Sequence, residues 1–185
     1  MHWCISNASI PQGVNATFLL GYNEPNNLHN CNKSPAVIAE AWAQVMEAWG
    51  ATSILVSPAT AGDGRSWYTE FFGNCTKLYG AKGCQIQHLA THDYSCDASS
   101  TLSYLQELHS LFHLPIWLTE MSCGDGAAGK PMSQHLAYMK DVFPKLDAAD
   151  YVYRYAWMSA HSANRGLVAS SGTALTPVGE LFVSI

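Results

Sequence analysis

From residue 17 onward the chain alternates strand signals with helix signals, and this alternation restricts the fold more than any other feature. Apolar runs of strand length at 17–22, 52–57, 84–91, 115–119 and 151–157 are separated by stretches with helical spacing. The stretch after Ser34-Pro35 is the clearest. Ser offers its hydroxyl to free N–H groups and Pro suits a first turn. Val37, Ile38, Ala41, Trp42, Val45, Met46 and Trp49 then recur on one helical face until Gly50 ends it. Further helices are expected over 66–79, from Asp97 or Ser99 to 113, and from Pro131 to 146, where Pro144 should disturb the last turn. A short one follows Thr176-Pro177, and 124–129 reads as a flexible loop. Strict alternation of this kind implies a parallel sheet with right-handed crossovers.

Two of the runs end in a glutamate: Leu19-Leu20-Gly21-Tyr22-Asn23-Glu24-Pro25-Asn26 and Ile116-Trp117-Leu118-Thr119-Glu120-Met121. A parallel strand buried on both faces reads as a continuous apolar run. Its carboxyl end is where barrel and open α/β enzymes keep their chemistry. One such glutamate is easily a strand-end carboxylate before a turn. Two on two strands point to a working pair, as in most glycoside hydrolases. By alternation Trp117 points away from Glu120 and is expected to pack under a helix. Five strand–helix units are too few for a closed (β/α)8 barrel, which takes roughly 250 residues. A doubly wound nucleotide-binding sheet would need a glycine-rich loop after its first strand, and none is present.

With 185 residues, 48% of them hydrophobic and 12% charged, the chain can bury one sizeable core, and residues 1–185 read as a single domain. A net charge of −5 without a basic stripe argues against nucleic acid as a partner. No apolar run approaches the roughly 18 residues that span a bilayer. Six cysteines, none in a C-x-x-C pair, suggest disulfides and an oxidising compartment. Sequons at Asn7, Asn15, Asn32 and Asn74 point the same way, Asn32 weakened by Pro35 after Ser34. The expected location is therefore outside the cell. The first residues have neither the basic start nor the apolar core of a signal peptide, so a missing amino terminus is expected. His88 with His92, and His109 with His113, share faces, but no acidic or cysteine set completes either pair. No metal or cofactor is expected.

Asn23-Glu24-Pro25 after an apolar strand resembles the acid/base motif of clan A glycoside hydrolases, and Trp117-Leu118-Thr119-Glu120 resembles their nucleophile strand. Ser57-Pro58-Ala59, His92-x-Tyr94, Arg154-Tyr155-Ala156-Trp157 and Leu175-Thr176-Pro177-x-Gly179 add to the set. In order, from about Phe18 onward, they resemble glycoside hydrolase family 128, the fungal-type β-1,3-glucanases. The resemblance implies a (β/α)8 TIM barrel of which strands 4–8 are present, strand 3 is partial and strands 1–2 are missing. It implies an endo-type, retaining β-1,3-glucanase acting on a β-glucan polysaccharide or oligosaccharide, although the residues themselves leave endo or exo action and oligomeric state open. Glu24 would be the acid/base and Glu120 the nucleophile. That chemistry demands carboxyl groups about 5–5.5 Å apart, with Glu24 protonated and Glu120 ionised. Asn23 would bind the sugar 2-hydroxyl, and His92 and Tyr94 would reach the site. Trp157 would form a stacking floor, or else belong to the core. Asp93 stands where the family often has an aromatic residue, which puts the local subsite in question. The barrel reading also implies local disulfides, 4–31, 75–84 and 96–123, out of the 15 pairings that six cysteines allow. Two other readings remain open: a non-catalytic β-glucan-binding protein or inactive fragment on the same scaffold, and an open α/β sheet of unrelated role.

Overall fold

The computed structural model describes residues 3–5, 16–124, 130–161 and 165–185. The expected loop at 124–129 falls mostly outside them, as do the sequons at Asn7 and Asn15. The chain divides into two compact units, Met1–Thr91 and His92–Ile185.

In the first unit, β1 (Phe18–Leu20), β2 (Ile54–Val56) and β3 (Ile86–Asp93) pair in chain order. All pairs are parallel, with Leu19 beside Leu55 and Val56 beside His88. The last two residues of β3 already belong to the second unit. The crossovers are α1 (Pro35–Trp49) and α2 (Arg65–Tyr79), which pack on each other. Helix α1 begins as its sequence dictates: the Ser34 hydroxyl accepts the Val37 N–H and Pro35 occupies the first turn. At its other end the Gly50 N–H closes on the Met46 carbonyl. Its buried face is Ile38, Ala39, Trp42, Val45 and Trp49. Trp42 is fully buried, so its indole N–H needs a partner, and it donates to the Cys84 carbonyl at 2.9 Å. Its ring meets Tyr22 and Phe71 edge-on, at 5.8 and 6.2 Å. Pairing of β2 with β3 slips between Leu55 and Val56, and the Gln87 side chain fills the lost rung by accepting the Leu55 N–H at 2.7 Å.

In the second unit β4 (Ile116–Met121) and β5 (Val152–Trp157) pair in parallel. They are accompanied by α3 (Ala98–Phe112), α4 (Met132–Ala148) and α5 (Pro177–Ser184). Asp97, not Ser99, caps α3, its carboxylate accepting the Ser100 N–H at 2.7 Å. Thr176 caps α5 through the Gly179 N–H at 3.0 Å.

Three local expectations are corrected here. Helix α4 continues through Pro144 to Ala148. Its neighbours Phe143 and Leu146 are buried, and Phe143 lies against Tyr155, Trp157 and Phe182. Packing on that side outweighs the missing N–H. His113 is the left-handed C-cap of α3 (φ 55°), so it does not share a helical face with His109, which stacks on Tyr151. The register of β4 slips at Ile116/Trp117 and again between Leu118 and Met121. Trp117, expected to pack under a helix, is buried and stacks on Tyr153 of the neighbouring strand β5, with rings 5.6 Å apart.

The disulfides are Cys4–Cys31 and Cys75–Cys84 in the first unit and Cys96–Cys123 in the second, the local set implied by the barrel reading. Among the described residues no helix is long and apolar enough to cross a membrane. Cys96 and Cys123 are separated by 27 positions. Closing a loop of that length stabilises a fold by about 3–4 kcal/mol. The double substitution Cys96→Ala/Cys123→Ala is thus expected to lower the unfolding free energy by about that amount in urea titrations.

Candidate active site

The first unit holds Asn23 and Glu24. Beyond the end of β1, its pairing to the next segment continues through single backbone bonds. Gly21 N–H donates to Val56 O (3.1 Å), Ala59 N–H to Tyr22 O (2.9 Å) and Glu24 N–H to Ala59 O (2.8 Å). The two backbones come so close that a Cβ on Gly21 would lie 2.6 Å from Pro58 N, a contact only glycine avoids. The segment at 57–60 is itself fixed. The Ser57 hydroxyl accepts the Ala90 N–H at 2.9 Å. The buried Tyr68 hydroxyl takes the Thr60 N–H at 3.0 Å and donates to the Ala90 carbonyl. On this base Glu24 sits in the left-handed region (φ 42°) with 4% of its surface exposed. A non-glycine residue held there costs on the order of 1–3 kcal/mol, and such residues cluster at functional sites. Asn27 donates to Glu24 Oε2 at 2.7 Å, and Asn30 donates to the same oxygen. Asn26 braces the turn by pairing both ways with the Ala61 backbone, at 2.8 and 2.9 Å. Asn23 is 2% exposed, and its side-chain oxygen is buried with no donor among the described residues.

The second unit brings His92, Tyr94 and Glu120 together. Glu120, at the end of β4, has 21% of its side chain open. Its Oε2 accepts the Tyr94 hydroxyl at 2.5 Å and lies 3.4 Å from Nδ1 of His92. Asp93 precedes Tyr94 in the chain. The Asp93 carboxylate takes the hydroxyls of Ser95 (2.8 Å) and Thr101 (2.6 Å), and Thr101 in turn meets the Tyr138 hydroxyl at 2.7 Å. Asp93 therefore serves α3 and α4. Burial pushes the Tyr138 phenol well above its ordinary value, so it stays a neutral member of that network. Disulfide Cys96–Cys123 and the bond from Gly124 N–H to Tyr94 O (3.0 Å) tie the turns that follow Tyr94 and Glu120. Trp157 is 7% exposed and packed among His135, Tyr138 and Phe143, its indole N–H bonded to the Arg165 carbonyl at 2.8 Å.

Asn27, Asn30, His135 and Arg165 escaped the sequence reading. Asn27 and Asn30 follow Glu24 at three and six residues. Arg165 is the single Lys or Arg between 155 and 185, a signal that was there to be used. His135 is fully buried, its Nδ1 accepting the Cys123 N–H at 3.3 Å. Burial, and then the charge of Arg165, push its pKa below the ordinary 6.5. Burial lowers His88 as well. In both cases the unfolded chain takes up protons near 6.5 that the folded chain refuses. Their contribution is complete above that pH and is lost as pH falls through the folded values. Thermal melts should show Tm falling between about pH 7 and about pH 5, with His88→Leu flattening the slope.

A family model described as glycosyl hydrolase catalytic core matches residues 3–182. Alkali-sensitive linkage protein 1 of Schizosaccharomyces pombe is 30% identical over 179 residues, which is 90% of this chain and 32% of that protein. The chain thus spans about a third of the length of this curated relative. Among solved structures, a family 128 subgroup II endo-β-1,3-glucanase from Sorangium cellulosum superposes with a TM-score of 0.79 at 27% identity, covering 95% of this chain and 71% of that one. A subgroup III curdlan-specific exo-β-1,3-glucanase from Blastomyces gilchristii, in complex with glucose, gives 0.74 at 28%, covering 92% and 71%.

Proposed function

The chain belongs to the family of the glycosyl hydrolase catalytic core, and on that premise we propose that it hydrolyses β-1,3-glucan by a retaining mechanism with Glu24 as acid/base and Glu120 as nucleophile. Glu120 carries this reading: a carboxylate at the end of a buried parallel strand, partly open, with one oxygen oriented by Tyr94 and His92. A hydroxyl donated to one oxygen fixes the carboxylate plane and holds the other toward an anomeric carbon. Glu24 would protonate the glycosidic oxygen and then activate water. Its strained backbone and its two amide donors support a role that needs a fixed carboxyl group. The buried, unmatched oxygen of Asn23 supports a polar ligand group there, as a sugar hydroxyl would supply. His92 and Tyr94 would bind substrate beside Glu120. Trp157, with little surface open, would act as a rigid floor for the sugar ring, backed by three packed rings.

The family model runs through both units, which supports residues 1–185 as one catalytic domain. Three disulfides support secretion. The relatives include both endo- and exo-acting enzymes, and the product sizes released from laminarin separate the two modes.

The protein is expected to release oligosaccharides from laminarin. Glu24→Gln should lower kcat by roughly 10²–10⁴-fold, and Glu120→Gln by at least as much. Proton NMR of the first product should show the β-anomer. An α-anomer formed first would contradict retention. Calorimetric binding of laminari-oligosaccharides without any product would favour a glucan-binding protein instead.

A further inference from the structure

Arg165 lies outside the set of residues that the proposed chemistry uses, yet it touches both the Tyr94 ring and the turn that follows Glu120. Its Nη1 donates to the Ser122 hydroxyl at 3.0 Å and to the Gly124 carbonyl at 2.8 Å, the turn directly after the nucleophile strand. Its guanidinium carbon stands 5.8 Å from the centre of the Tyr94 ring, within the range of a cation–π contact. Its own carbonyl accepts the indole N–H of Trp157 at 2.8 Å. Ser122 and Cys123 are fully buried and Gly124 is half-buried, so losing these bonds would leave the Ser122 hydroxyl without an easy replacement from solvent.

We propose that Arg165 is a positioning residue for Glu120, acting through the Tyr94 ring and the turn at 122–124. The inference rests on Glu120 being the nucleophile. Nη1 fixes the turn through both of its bonds, and the guanidinium lies against the Tyr94 ring. The Tyr94 hydroxyl is thereby kept on Glu120 Oε2 while the carboxylate attacks. A cation over the ring also draws electron density from the phenol, which makes its O–H a better donor to a carboxylate. Lysine would keep the charge but lose both the fork and the planar stacking surface.

The test takes the full chain with Arg165→Ala, Arg165→Lys, Tyr94→Phe and the Arg165→Ala/Tyr94→Phe pair. Hydrolysis of laminarihexaose should show kcat reduced on the order of 10²-fold in Arg165→Ala, with KM little changed, since a small misplacement costs that much. Arg165→Lys should recover part of the loss. In the Tyr94→Phe background the same substitution should cost less, because the two residues act as one unit. A readout independent of turnover is the low-field proton resonance of the Tyr94 hydroxyl, assigned by its absence in Tyr94→Phe. It should move upfield or broaden in Arg165→Ala. A lowered Tm with that resonance and kcat unchanged would overturn the proposal and leave Arg165 a structural brace. If wild type hydrolyses no β-1,3-glucan but the resonance responds as expected, the proposed reaction fails and the hold of Arg165 on Tyr94 and Glu120 stands.

Discussion

A parallel strand has both faces buried, so a carboxylate on it can stay ionisable and useful only at the carboxyl end, where the chain leaves the sheet. Glu24 and Glu120 both occupy that position, one in each compact unit. What surrounds them follows from the need to keep those chain ends still. After β1 the backbone pairing runs on, bond by bond, to Glu24 N–H, and Gly21 is small enough to let the neighbouring segment close in. After β4 the same task falls to a disulfide, to the Gly124–Tyr94 bond and to the Arg165 fork. The first solution is backbone pairing alone, whereas the second adds a disulfide and a side chain to its backbone bond.

Electrostatics in the second unit follow the same economy. Tyr138, pushed up by burial, and His135, pushed down by it, are both neutral near pH 7. Each acts there as a hydrogen-bonding group and carries no charge. Among the described residues, two charged groups flank Tyr94. Asp93 accepts from Ser95 and Thr101, and Arg165 lies against the Tyr94 ring.

Much of this was legible in the chain. Helix α1 could be read from Ser34-Pro35 to Gly50 because cap, first turn, apolar face and stop all agree. Glu24, Glu120, His92 and Tyr94 stood out because each follows an apolar run. Three features were hidden because they depend on contacts distant in sequence. Pro144 reads as a breaker, but Phe143 and Leu146 bury the helix around it. Trp117 reads as packing under a helix, but its stacking partner Tyr153 lies on the neighbouring strand. Asp93 reads as a subsite residue of uncertain effect, whereas its carboxylate serves the caps and hydroxyls of α3 and α4. The partners of Glu24, Asn27 and Asn30, sit in an irregular turn, where no period announces them.

The most direct measurement is covalent trapping of the glycosyl-enzyme. The protein would be incubated with a 2-deoxy-2-fluoro laminaribiosyl fluoride, digested, and its peptides sequenced by mass spectrometry. Retaining hydrolysis with Glu120 as nucleophile predicts one stoichiometric adduct, on the Glu120 side chain, whose formation Glu120→Gln abolishes. An adduct on Glu24, or hydrolysis of the reagent without any adduct, would contradict it.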